Sequence, residues 1–190
     1  MKIIISLVLI FALSFSLIGY GEEQITNNPP ANGTQGGANM ESIWNLTDTN
    51  EFVIAMTEHL AEKTHYGEDL SVLSEAERIF YITQALEMEV NNGGFSQFFF
   101  NSSGDFSNEL VDAFTAIGAI KTVAICQKAI DAFGRDIPVD RYERQEMLAE
   151  LESDELDAIL GECDDAFYAY EEDLNELNYA FVMKNKEQFT

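Results

Sequence analysis

Helix start and stop signals recur along this chain while strand-like alternation is scarce, and that imbalance limits it to a fold built from helices. Ser74-Glu75-Ala76-Glu77 is a capping box, with Ser at the cap and Glu three residues on, opening a helix through Ile79, Ile82, Leu86 and Val90. Asn91, Asn92 and Gly93 predict its end, because Asn and Gly tolerate the left-handed conformation that closes a helix. Phe95, Phe98 and Phe99 then have the spacing of one short helical turn that presents rings to a core. Asn101 to Gly104 makes a second turn, and Asp105 or Ser107 is the expected cap of a helix whose apolar face is Leu110, Val111, Phe114 and Ile117. Gly118 either bends that helix or separates it from the next, which carries Ile120, Val123, Ile125, Ile130 and Phe133 and closes at Gly134 and Pro138.

The same reading predicts a helix over Val139 to Leu151 and another capped at Ser153-Asp154 and running through Leu160. A long last helix is expected from near Asp164, with Phe167, Tyr170, Leu174, Leu177 and Phe181 at spacings of three and four. That stripe suits either the core or a homodimer interface. Glu51 to Lys63 adds an N-terminal helix. The fold class is all-α: a single-domain helical bundle over residues 41–190, with no internal repeat at solenoid spacing.

Two segments precede the bundle. Lys2, the apolar run IIISLVLIFALSFSLI and the small residues Gly19 and Gly21 follow the order of an export signal over residues 1–21. The run is either cleaved after Gly21 or kept as a membrane tether, since it approaches the length of a spanning segment. LIGYGEE is similar to a lipoprotein signal, but Tyr20 stands where the lipid-bearing Cys would be, so lipidation is not expected. Residues 22–40, EEQITNNPPANGTQGGANM, read as a disordered tether.

Charge bounds the partners. Lys+Arg 10 against Asp+Glu 34 gives a formal net charge of -24, which argues against direct nucleic-acid binding and in favour of a basic protein. Hydrophobic residues at 46% separate the chain from disordered acidic tails.

LSEAERIFYITQALEMEVNNGGFSQFFFNSSGD, followed by AFTAIGAIKTVAICQKAIDAF, resembles the DNA-mimic-protein-19-like (DMP19-like) family of bacterial domains. The motif residues are Asn92, Gly93, Gly94 and Phe95 in the first turn, Gln97 and Phe98, Asn101 and Gly104 in the second, and Gly118 in the Ala113 to Ala119 run. The similarity extends from about Trp44 to Phe189. It implies an acidic, helical and dimeric protein whose carboxylates imitate DNA phosphates and occupy a DNA-binding protein. A transcription-factor decoy works in the cytoplasm, whereas this N-terminus points outward, so the resemblance transfers the fold more directly than the partner.

Carboxylates three or four residues apart on a helix lie about 5–6 Å from one another, and acidic faces so built approximate a phosphate row. Glu143, Glu146 and Glu150 share one face, Asp154 and Asp157 follow, and Asp164, Asp165, Glu171, Glu172, Asp173 and Glu176 crowd the last helix. These are either a partner-binding face or the solvated backs of amphipathic helices.

No Gly-x-Ser-x-Gly elbow, Walker loop, His-Glu-x-x-His or Rossmann glycine pattern is present, so no enzyme and no cofactor is expected. Abundant acidic pairs keep a carboxylate-pair hydrolase as a third class, with nothing that places two of them across a substrate. His59 and His65 lie six apart and read as surface or packing residues. Asn101, Ser103, Asp105, Ser107 and Glu109 alternate oxygen side chains as in some calcium loops, but helix capping explains the same residues and no metal is expected. Cys126 and Cys163 sit in apolar helical stretches, as buried core residues or as a disulfide in an exported domain. The second functional class is an envelope-associated ligand-binding or structural domain, with a groove at Phe95 to Phe100 as its working surface.

Overall fold

The computed structural model describes residues 39–190; the export segment and nearly all of the tether lie outside the described residues. Eight α-helices, three short 3-10 helices and no strand are present among them. Asn39 caps α1 (Met40–Trp44), so Met40 belongs to the bundle rather than to the tether. α2 spans Thr49–Lys63 under an Asp48 cap, two residues earlier than the sequence suggests.

The capping box opens α3 (Glu75–Phe100) as expected, with the Ser74 hydroxyl accepting from the Glu77 N–H and the Glu77 carboxylate accepting from the Ser74 N–H. Glu77 is fully buried, and Lys63 meets its carboxylate at 2.7 Å, tying α2 to the start of α3. A buried pair of this kind gains its worth from being complete, because removing one partner strands the other charge.

α3 does not end at Asn91 and Asn92. Those two residues stay helical, and the break falls at Gly93 and Gly94, after which the helix resumes through Phe100. Phe95, Phe98 and Phe99 are wholly buried in the resumed segment, the Phe99 ring lying 4.8 Å from Phe133 and 5.3 Å from Phe98.

Asp105 and Ser107 do not cap the next helix. A 3-10 helix (Ser102–Glu109) intervenes, the Asp105 carboxylate accepts from Arg144, and the Ser107 hydroxyl donates to the Gly104 carbonyl. α4 (Leu110–Ile117) therefore starts without a side-chain cap. Gly118, at φ 85°, ends α4 in the left-handed conformation and separates it from α5 (Ile120–Asp131). Ile120, the first residue of α5, is exposed rather than part of its apolar face.

α6 (Arg141–Leu151) is capped by Asp140. α7 (Asp154–Tyr168) has the predicted Ser153 cap but runs past Leu160, since Gly161 inside it costs only about 1 kcal/mol relative to Ala. The long last helix is instead the end of α7 and a separate α8 (Leu174–Lys184), joined through Tyr170 at φ 43° with Asp173 as the new cap. The stripe from Phe167 to Phe181 is thus divided between two helices, which removes the continuous heptad seam on which a coiled-coil dimer would rest.

α3 is the central element, packed against α2, α4, α6, α7, α8 and the 3-10 helix that follows it. The main core gathers α3 to α7 with Leu174 of α8, and a smaller cluster joins α1, α2 and the start of α3 to Val182 and Phe189. Cys126 and Cys163 are free thiols in the main core, and burial pushes both above the ordinary range. No described helix is long and apolar enough to cross a membrane.

Candidate acidic interaction face

The motif between Asn91 and Asp105 is organised by groups outside it. Gly94 adopts φ 78°, and a Cβ placed there would overlap the Asp164 carboxylate. That carboxylate accepts the Phe95 N–H at 2.7 Å, capping the second segment of α3 from α7. Burial raises the Asp164 pKa, the Phe95 N–H opposes the rise, and Asp165 adds to it. Glu89 performs a similar task from within α3, accepting from Gln97, Asn101 and Ser103. Asn92 remains exposed beside the break.

Arg144 of α6 completes the arrangement. It is wholly buried, and its guanidinium donates to the carbonyls of Phe99, Asn101, Pro138 and Val139 and to the Asp105 carboxylate. Gly104 is confined by it: a Cβ there would lie 2.6 Å from Arg144 Nε and 2.7 Å from the Phe99 carbonyl oxygen. Sequence reasoning missed Arg144, because its surroundings in RYERQE look like any solvated helix face.

The acidic candidates divide into two groups. Asp164, Glu172 and Asp173 work within the fold. Glu172 sits at the N-terminus of α5, accepting from the N–H groups of Lys121 and Thr122 and from the Thr122 hydroxyl. Asp173 caps α8, Glu176 accepts from Thr49, and Glu171 and Glu150 pair with Lys121 and Arg135. Glu143, Glu146, Asp154, Asp157 and Asp165 are exposed and engage no cation among the described residues. Four of these lie on α6 and the first turn of α7, where Glu152 and Glu155, which sequence reasoning passed over, are exposed as well. Arg141 stands at the start of α6, its Nε buried without a hydrogen-bond partner. Of the other described cations, Lys63, Arg78, Lys121, Lys128, Arg135 and Arg144 are each held in an ion pair, Lys186 lies over the Trp44 ring, and Lys184 is at the end of α8.

This division has a thermodynamic signature. Burial opposes ionisation of Glu172, but its three hydrogen bonds outweigh burial and hold the carboxyl below the ordinary range. The stability it contributes is present above the unfolded pKa and lost as pH falls through the lowered folded value. Glu172→Ala should cost about 1–3 kcal/mol at pH 7 through loss of charged hydrogen bonds. Glu143→Gln should lie within about 0.5 kcal/mol of wild type, as surface changes usually do. Urea denaturation at neutral pH checks both, and equal effects would overturn the division.

A cleft of about 330 Å³ lies between the start of α5 and the α7–α8 connection, lined by residues including Ile125, Phe167, Tyr170 and Leu174. Its charged rim is self-satisfied through Lys121, Glu171 and Glu172. Behind it the Tyr170 hydroxyl donates to Glu87, whose pKa burial raises, and accepts from Asn91. The expected groove at Phe95 to Phe100 is absent, since three of its four rings are wholly buried and only Phe100 faces outward. The alternating oxygens of the second turn do not converge either, being directed to Glu89, Arg144 and Arg78. Among the described residues no group of three or more His, Cys, Asp or Glu is arranged to hold a metal ion.

Fold and surface together define an all-α domain whose glycine turns are built into its core and whose α6 and α7 carry exposed carboxylates that meet no cation among the described residues, as α2 does at Glu51, Glu58 and Glu62. The family model described as DMP19-like protein matches residues 71–185, more than half of the chain, and the chain belongs to that family. Comparison with curated proteins and with solved structures returns no match.

Proposed function

We propose that this protein is a non-enzymatic acidic interaction domain that occupies the cationic surface of a basic protein, as a DNA mimic does. The observation that carries the reading is the run of unpaired, exposed carboxylates Glu143, Glu146, Asp154 and Asp157 on α6 and α7. Family membership fits a role of this kind. Helical spacing holds Glu143 and Glu146 on α6, and Asp154 and Asp157 on α7, about 5–6 Å apart within each pair, a spacing that a groove built for phosphates would accept. Long-range attraction of this type accelerates encounter and fades with salt. The export signal read over residues 1–21 directs the search to basic proteins outside the cytoplasm, such as a secreted nuclease or toxin.

The test is displacement of labelled duplex DNA from a panel of helix-turn-helix domains and a secreted nuclease, read by fluorescence anisotropy. The wild-type chain should release the DNA of at least one of them. The combined substitution Glu143→Gln, Glu146→Gln, Asp154→Asn and Asp157→Asn should weaken that release at least about tenfold, as should raising salt from 50 to 300 mM. Displacement indifferent to both changes, or none across the panel, would sink the reading. Mass spectrometry of the mature N-terminus in separated cell fractions then chooses the compartment: a terminus near Glu22 outside the cytoplasm supports the exported partner, and intact Met1 in the cytoplasm replaces it with a DNA-binding regulator.

A further inference from the structure

We propose that Phe100, Val139 and Tyr142 form the apolar centre of the docking surface, so that the partner is a basic protein offering an apolar or aromatic side chain amid its cations. This rests on the acidic-face reading and says what the acidic face surrounds.

The first observation is exposure where burial would be expected. Phe100 is 52% exposed although Phe95, Phe98 and Phe99, in the same helical segment, are wholly buried; Val139 is 57% and Tyr142 80% exposed. The second is proximity. One guanidinium, that of Arg144, bonds the carbonyls of Phe99 and Asn101 on one side and those of Pro138 and Val139 on the other. The Gln145 side-chain amide donates to the Phe100 carbonyl at 2.9 Å. The end of α3 and the start of α6 are thereby stapled together, with Phe100 and Val139 flanking the staple. Within α6, Tyr142 precedes Glu146 by four residues, a spacing that sets the two on one side of the helix, while Val139 lies just before the Asp140 cap that opens it.

Rigid aromatic anchors ringed by polar groups are the anatomy of a binding hot spot. The polar ring here is acidic: Asp140, Glu143 and Glu146 are exposed around the anchors. Charge selects the occupant. A second copy would bring two acidic rims together on chains of net charge -24, which like-charge repulsion opposes, whereas a cationic rim completes the surface. The cleft lies elsewhere, at α5 and the α7–α8 connection, and none of these three side chains lines it.

Two synthetic helical peptides of equal lysine content serve as probes, one carrying Leu and Trp on one face and the other Ser at the same positions. Binding to the full chain is measured by calorimetry in 50 and 150 mM salt. The wild type should prefer the apolar peptide at least about tenfold, and the double variant Phe100→Ser/Tyr142→Ser should lose that preference while binding the Ser peptide unchanged. Tyr142→Phe should retain it, and thermal melts should leave both variants folded because the substituted side chains are exposed. Equal affinity of the wild type for both peptides, or an unchanged double variant, would overturn the inference while leaving the acidic face standing. Binding that ignores salt and the four-carboxylate substitution would overturn the acidic reading and the basic partner with it. A wild-type dimer that Tyr142→Ser converts to monomer in sedimentation would assign the surface to a second copy instead.

Discussion

Arg144→Ala should cost about 4 kcal/mol or more, enough to unfold a domain whose total stability lies in the usual range of about 5–15 kcal/mol. The guanidinium is wholly buried and hydrogen-bonds four carbonyls and one carboxylate drawn from two stretches of the chain, 99–105 and 138–139. Each buried carbonyl left without a donor costs about 1–3 kcal/mol, and the vacated volume adds a cavity beneath Gly104. Arg144→Lys should not rescue it, since one ammonium cannot span both sides of the staple. Asp105→Asn should cost far less, because that carboxylate is 44% exposed and only one of five acceptors. Urea midpoints of the three variants test the ranking. A mild Arg144→Ala would mean that the staple is not what joins α3 to α6.

Gly94→Ala should cost about 3–5 kcal/mol, while Gly93→Ala should cost less, about 1–2 kcal/mol. The two glycines are adjacent, but only Gly94 has positive φ, and only its missing Cβ makes room for the Asp164 carboxylate that caps Phe95. Alanine there must adopt a left-handed conformation and also push Asp164 from its hydrogen bond. At Gly93 φ is -165°, outside the left-handed region, and the nearest obstruction is the end of the Gln97 side chain, whose displacement loses its hydrogen bond to Glu89 but moves no backbone. Thermal melts of the two variants decide the matter, and equal shifts would show that the break in α3 does not depend on Asp164.

Both effects concern residues whose identity was visible while their reason was not. The Asn-Gly-Gly-Phe turn could be read as a helix stop from residue preferences alone, yet the helix resumes, because Asp164 supplies from 69 residues away the acceptor that a local cap would have supplied. The second turn was legible as a turn, but its caps were assigned to Asp105 and Ser107, which the fold directs elsewhere once Arg144 enters. Asp164, Glu172 and Asp173 show the same limit in the candidate face. In sequence they match Glu143 and Asp157; in space they cap helix segments and are withdrawn from a partner.

The sequence by itself determined the all-α class, the capping box of α3, the inward spacing of Phe95, Phe98 and Phe99 and the excess of carboxylates. Those properties follow from period, cap chemistry and composition, which act over a few residues or over the chain as a whole. Only the tertiary structure decided where α3 breaks, how the last stripe divides at Tyr170, which acids stay free and why Phe100 alone of its cluster faces outward. The break in α3 and the withdrawal of Asp164 and Glu172 depend on groups that meet across 50 residues or more, and local pattern carries no record of which donor or acceptor will be within about 3 Å once the chain has folded.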